Sequence, residues 1–243
     1  MLNSFVRPFE QLRTVNEAVE RARIAISEMV VELPASRFEV ISESEDGLER
    51  ETILELDNRG LTELSVPYSE AVFSVPTNVD PHELYTQDMA TIVRRIVEHE
   101  GPIYDEEIVT RVRTLWSKGR AGSRIHDAVT RAIRALETNK SCVRVDRCLM
   151  LPNCEVRVRN RATVISPTLR KPEHLPIVEI HAAILSVLQA NHGAARNQIP
   201  TALARLFGFQ ATSSQLKTLI DSQVQRLVLS GKIQEMNGTL KAV

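Results

Sequence analysis

Basic side chains cluster in one part of a chain whose overall charge is close to zero. The 243 residues include 30 Lys and Arg against 31 Asp and Glu, a formal net charge of −1, so a surface for a polyanion has to be local. The local excess consists of Lys118, Arg120, Arg124, Arg131, Arg134, Arg144 and Arg147. Such groups can contact phosphates, and Arg can also bind guanine edges in a major groove. We predict that these side chains contact nucleic acid. The alternatives are a solvated helix face, or Arg residues that pair with Asp127 and Glu137.

The residues around this cluster have the pattern of a small helical domain that would present it. Between residues 85 and 152, apolar side chains at helical spacing predict three helices, over 88–98, from Asp105, and up to about Asn139. A β-branched run over 142–151 then predicts a hairpin. Helix, turn, helix, glycine turn, helix and hairpin is the order typical of a winged helix-turn-helix, whose third helix reads the major groove. We therefore predict a first winged helix at residues 85–152.

Residues 177–243 repeat this order of elements with different side chains, and we predict a second winged helix there. A helix over 179–190, a short helix over 197–207 and a third helix capped by Thr212 or Ser213 come first. A hairpin that turns at Asn237-Gly238 follows. The outward face of this third helix is polar and scarcely basic, which favours packing or partner binding.

The rest of the chain is assigned to a linker and an N-terminal appendage. Residues 153–176 are rich in proline and basic residues, which predicts an extended, solvated linker. Within residues 1–80, an amphipathic helix is predicted over 10–30, and short strands over 37–41 and 52–56. The predicted fold class is mainly α with small β hairpins, α+β overall: tandem winged helix-turn-helix domains with an N-terminal α+β appendage.

Some residues resemble a catalytic or metal site, but the sequence around them does not fit such a site. Asp105-Glu106-Glu107 resembles the acidic box of helicases, but that box follows an apolar strand, whereas Gly101-Pro102 precedes this one. A helix dipole favours acidic side chains in the first turn, which explains them. The phosphate-binding pattern G-x-x-x-x-G-K-[ST] is absent, and Cys142, Cys148 and Cys154 lack the paired spacing of zinc ligands. We predict no enzyme activity, no metal and no cofactor.

Composition and hydropathy predict a cytoplasmic location. The N-terminus lacks a basic start followed by an apolar core, and no run of 18 apolar residues occurs. We therefore expect no secretion signal and no membrane partner. Three cysteines suit a reducing compartment better than a disulfide framework. Aromatic residues make up 4% of the chain, which argues against a stacking platform for single-stranded nucleic acid.

Several stretches of the sequence resemble one known family. They are EGPIYDEE at 100–107, GRAGSRI at 119–125, VRNR at 158–161, LRKPEHLP at 169–176, EI at 179–180 and LFGF at 206–209. Together they resemble, over residues 68–243, an uncharacterised C-terminal domain of large bacterial superfamily 1 DNA helicase-related proteins, of the DUF3320 type. That family usually has histidine at the position of Tyr104. The resemblance implies a helicase motor domain or parent protein as a partner, without naming an activity.

The leading hypothesis from the sequence is a non-enzymatic accessory module of a DNA helicase-like protein. It would bind nucleic acid, duplex DNA first of all, through the Arg-rich third helix of the first winged helix. One alternative is a protein-interaction or dimerisation scaffold, with a homodimer as its simplest form. The other is a winged-helix transcription regulator, which would need a symmetric dimer with its reading helices one duplex turn apart.

Overall fold

The structure is a computed structural model that describes residues 63–243. About half of these residues are helical and their short strands form small sheets, which confirms the predicted α+β class. The helix predicted over 10–30 and the strands predicted over 37–41 and 52–56 lie outside the described residues.

The first half, residues 85–152, follows a short strand, β1 (Val66–Pro67), and a 3-10 turn at Pro81–Glu83. Its elements are α1 (Thr86–Glu100), β2 (Ile103–Tyr104), α2 (Asp105–Leu115), α3 (Ser123–Thr138), β3 (Val143–Val145) and β4 (Cys148–Met150). Apolar spacing decides which side of each helix is buried. α1 turns Met89, Val93 and Ile96 inward and packs along α3, whose inner stripe includes Val129 and Ala132.

The strand between the first two helices completes a sheet with the hairpin. β4 lies between β2 and β3, and both pairings are antiparallel. Ile103 of β2 is opposite Leu149 of β4, and both side chains are buried in the core of the first half. The hairpin turns at Asp146-Arg147, where Asp146 has a positive φ of 52°. Helices and sheet thus share one core.

The second half, residues 177–243, has the same order of elements and the same strand order in its sheet. Its elements are α4 (Ile177–Ala190), β6 (Ala194–Ala195), α5 (Ile199–Leu206), α6 (Ser214–Leu229), β7 (Ile233–Met236) and β8 (Thr239–Ala242), and β8 lies between β6 and β7. The Ser213 hydroxyl accepts from the N–H of Leu216 at 3.2 Å, which is the predicted cap. Asn237 and Gly238 both have positive φ, as a two-residue hairpin turn requires.

Residues 153–176 are where the sequence interpretation of a solvated segment is wrong. They include a fifth strand, β5 (Arg159–Asn160), which pairs in parallel with β1, and two 3-10 turns, at Thr168–Arg170 and Pro172–His174. Arg159 and Arg161 are only 7% and 2% exposed. Their charges are accommodated because carboxylates from elsewhere in the chain meet them, which composition alone does not show. The described residues of both halves and of this segment belong to one compact unit.

Candidate nucleic-acid interface

The outer face of α3 carries the basic side chains that the sequence singles out. Arg124, Arg131 and Arg134 are exposed, while Ile125 and Val129 on the opposite stripe are buried. α3 rises about 1.5 Å per residue, so the ten positions from Arg124 to Arg134 span about 15 Å. That length is comparable to the 12 Å width of a B-form major groove. The three arginines therefore lie along about three turns of the exposed face of α3.

Ion pairing distinguishes the predicted contact residues from one another. Within residues 63–243, Arg120, Arg124, Arg131 and Arg134 form no salt bridge. Of the two carboxylates expected to pair with arginines in the alternative, Glu137 pairs with Arg144, and Asp127 has no salt bridge among the described residues. Among residues 63–243, no carboxylate neutralises these four guanidinium groups on and beside α3.

Lys118 lies beside the N-terminus of α3 and is paired. Its Nζ is 2.6 Å from Asp80 Oδ1, and both side chains are partly exposed. The hydrogen bond and charge of Lys118 lower the pKa of Asp80. An open groove of about 350 Å³ lies here, lined among others by Asp80, Lys118, Gly122 and Arg124. The first turn of α3 has no acidic residue and no side-chain cap, so an anion in this groove would meet its positive end.

The two basic residues of the hairpin are engaged within the protein. Arg144 donates to both carboxylate oxygens of Asp105, at 3.0 and 3.1 Å, and to Glu137 at 2.7 Å. This fork-shaped pairing holds the hairpin against the N-terminus of α2. Arg147 is exposed, with its Cζ 5.7 Å from the centroid of the Tyr104 ring. A nucleic acid would have to compete with two carboxylates for Arg144, but not for Arg147.

A buried polar cluster, which the sequence reasoning missed, lies at the C-terminal end of α1. The Glu100 carboxylate is fully buried and accepts from Arg111 Nε at 2.5 Å and Nη2 at 2.8 Å. It also accepts from the Tyr68 hydroxyl and the Ala71 N–H, each at 2.8 Å. The remaining Nη1 of Arg111 bonds to Glu70. Arg111 is itself 1% exposed, so its charge is fully compensated inside the protein.

A second buried carboxylate, Glu179 in the first turn of α4, holds the two arginines near β5. It accepts from Arg159 Nη2 at 2.7 Å and from Arg161 Nη2 at 2.6 Å, as well as from the backbone N–H of Arg159. Burial opposes ionisation of Glu179, but the charges of Arg161 and Arg159 outweigh it, so the pKa is lowered below its usual range. The carboxylate is therefore charged at neutral pH.

Arg159 joins the two carboxylate clusters. Its Nη1 donates to the carbonyl of Glu100 and its Nη2 to the carbonyl of Pro102 at 2.9 Å. The Cζ atoms of Arg159 and Arg161 lie 4.8 and 5.3 Å from the centroid of the Tyr68 ring, a cation–π arrangement. One guanidinium group thus contacts both halves of the protein.

A local signal for this cluster exists in the sequence. Glu100 follows Ile96 by four positions and Arg111 follows Ile108 by three, so both charged residues fall on the apolar stripes of their helices. Arg159 and Arg161 are two positions apart, which places them on one face of an extended chain. A charge at a core position needs a buried counter-charge, and that requirement could have drawn attention to these residues.

A protein-family model matches part of the chain. Residues 79–127 match the family model described as "Protein of unknown function (DUF3320)". This supports a DUF3320-type domain in that stretch. No curated protein matches the chain, and no solved structure matches it. The helicase-related setting that the resemblance implies stays a prediction.

The DUF3320 match contains part of both clusters. It runs from before α1 into the first turns of α3, and so includes Glu100 and Arg111 of the buried cluster. It also includes Lys118, Arg120 and Arg124 of the exposed one. The match ends before Arg131, so the outer face of α3 is only partly covered by it.

The described part of the chain was compared with the geometry of metal clusters and of membrane-spanning helices. Within residues 63–243, no group of three or more His, Cys, Asp and Glu side chains could hold a metal ion. Cys142 and Cys148 are buried and Cys154 is half-buried; burial raises the pKa of the Cys148 thiol to about 12. Over the same residues, every helix is too short or too polar to cross a bilayer.

Proposed function

We propose that both halves are winged helix-turn-helix domains, with bounds near 85–152 and 177–243, and that the first binds duplex nucleic acid through α3. The order of elements supports the domain type, because in each half a strand between the first two helices pairs with the C-terminal hairpin. In that architecture the third helix is the reading helix. The protein would be a non-enzymatic accessory module of a DNA helicase-like protein.

The observation that carries the proposal is the unpaired state of the arginines on and beside α3. Arg120, Arg124, Arg131 and Arg134 are exposed and have no salt-bridge partner among residues 63–243. The protein contains enough acid to neutralise them, since its net charge is −1. A local excess of unpaired positive charge on and beside one helix is expected of a surface that binds phosphates.

The second half offers a contrast that serves as an internal control. The outer face of α6 presents Gln215, Lys217, Thr218 and Arg226 with Asp221 among them, and is far less basic than α3. We therefore assign duplex contact to α3 rather than to α6.

The test is a titration of a fluorescently labelled duplex with the full chain and its variants. Arg124→Ala and Arg131→Ala should each weaken binding at least about fivefold, corresponding to about 1 kcal/mol per contact. Arg226→Ala, at an exposed position of α6, is the matched control and should leave affinity unchanged. Unchanged affinity in both single variants and in the double variant would remove α3 as the contact surface.

An exposed apolar group supports a second candidate function, a protein-interaction or dimerisation scaffold. Leu229, Met236 and Val243 in the second half are 78%, 68% and 78% exposed. Exposed apolar side chains mark a protein contact where they form a contiguous patch, and these three are the residues that such a contact on the second half would use. Sedimentation at several concentrations, beside a duplex titration at low salt, separates the two functions. A dimer without duplex affinity favours the scaffold.

A further inference from the structure

Residues 158–176, which we call the strap, contact both halves, and duplex binding gives these contacts no role. On the side of the first half, Arg159 bonds to the carbonyls of Glu100 and Pro102. Farther along, the hydroxyls of Ser166 and Thr168 bond to the carboxylate of Glu107, which is 1% exposed. These contacts reach 57 to 61 residues back along the chain.

The end of the strap also contacts the first half. The Tyr104 hydroxyl donates to the carbonyl of Leu175 at 3.2 Å. Its ring meets the ring of His174 edge-on, with centroids 5.8 Å apart. Tyr104 is the position where the resembled family usually has histidine, and in this chain the side chain is an interior contact, 8% exposed.

The strap is also held by the second half. Arg159 and Arg161 share the carboxylate of Glu179. The N–H of Arg161 donates to the carbonyl of Phe207 at 2.8 Å. Val158 and Leu175, 6% and 1% exposed, are part of the apolar core of the second half. The strap is therefore integral to the second half and reaches out to the first.

Buried polar contacts of this kind have one well-defined geometry. Each donor of Arg159 has a particular acceptor, and moving one half relative to the other would leave buried carbonyls and a carboxylate without partners. Unsatisfied buried groups are costly, and charged ones most of all. Arg161 Nε and His174 Nδ1 have no hydrogen-bond partner among the described residues, but each guanidinium nitrogen of Arg159 has an acceptor. The contacts of Arg159 therefore select a single arrangement.

We propose that the strap is a non-covalent clamp, with Arg159 at its centre, that fixes the two halves in one relative orientation. The stretches VRNR, LRKPEHLP and EGPIY then supply the residues of this clamp. The clamp holds the halves together without help from the peptide connection at residues 152–157. This inference is independent of nucleic-acid binding, since its test contains no nucleic acid.

The test cuts the chain between the halves while leaving all its residues in place. A recognition site for a sequence-specific protease is inserted between Asn153 and Cys154, next to the exposed turn at Pro152-Asn153. After complete cleavage, the two fragments should elute together on size exclusion at micromolar concentration. Separation of the fragments of the otherwise unchanged protein would overturn the proposal.

Variants then assign the clamp to Arg159. In the cleaved protein, Arg159→Met should raise the dissociation constant between fragments at least about 100-fold, because the buried carbonyls of Glu100 and Pro102 on the other fragment lose their donors. Arg157→Met is the matched control, two residues away and exposed, and should have no effect. Arg159→Lys keeps the charge but loses the forked donors of the guanidinium group. It should raise the dissociation constant between fragments about tenfold, and it provides the test if the Met variant does not fold. Fragment affinity unchanged by Arg159→Lys would overturn the role of Arg159.

Discussion

Replacing Glu179 by Gln should lower the free energy of unfolding more than any comparable change at an exposed glutamate. The carboxylate accepts five hydrogen bonds from Arg159 and Arg161. Gln keeps the shape but removes the charge, so two guanidinium groups stay buried without their counter-ion. Breaking a buried ion pair on one side costs about 3–5 kcal/mol, and we expect a loss in that range.

Urea denaturation measures this loss with two probes. With a denaturant slope of about 2 kcal/mol per M, the midpoint should fall by about 2 M. Far-UV circular dichroism follows all helices, whereas fluorescence follows Trp116, the sole tryptophan of the chain, which is buried in the first half. Because the clamp couples the halves, both probes should report the same midpoint, and both should shift in the variant.

Glu173→Gln is the matched control, because Glu173 is exposed and accepts a single hydrogen bond from Gln215. It should change stability by less than about 0.5 kcal/mol. A loss below about 1 kcal/mol for Glu179→Gln would refute the reasoning from the buried charge. A shift confined to circular dichroism would refute the coupling between the halves.

Three further predictions follow from backbone, thiol and acid chemistry. Gly208→Ala should destabilise the protein by more than Gly231→Ala in thermal melts. Both glycines have positive φ, which costs an L-residue about 1–2 kcal/mol. At Gly208 the Cβ of alanine would in addition lie 2.6 Å from the backbone nitrogen of Ala162, whereas at Gly231 it would meet no atom of the described residues. A thiol reagent at neutral pH should modify Cys154 well before Cys148, whose pKa of about 12 and burial protect it until unfolding; equal rates in the native protein would contradict the burial. The free energy of unfolding should fall as the pH drops below about 4.5. The reason is that the pKa of Glu179 is lowered in the folded state, so its stabilising contribution is present above the unfolded pKa and is lost as the pH falls through the folded one. Glu179→Gln should make the Tm less dependent on pH in this acid range, and an unchanged dependence would contradict the assignment.

The elements that the sequence predicts correctly are those whose signals are local. α1 and α3 each repeat apolar residues over about four turns, and the hairpin of the second half carries Asn237-Gly238 at its turn. The cap at Ser213 likewise depends on residues within three positions. Such signals can be read without knowing what lies across the core.

The burial of the strap could not be read in this way. Arg159 looks like a linker residue until Glu179, 20 positions on, and the Glu100 carbonyl, 59 positions back, are placed beside it. Likewise Arg111 acquires its role from Glu70, 41 positions away. A charged residue type is expected to be exposed to solvent, and it can be buried only when a residue distant in the sequence supplies its counter-charge.

The central claim, duplex contact through α3, is tested most directly by the salt dependence of binding. Each phosphate contact contributes about 0.9 to the slope of log affinity against log salt on B-form DNA. For an Arg124→Ala/Arg131→Ala double variant the account predicts a slope reduced by about 1.8 units, with Arg226→Ala unchanged. A slope for the double variant equal to that of the unmodified protein would contradict it.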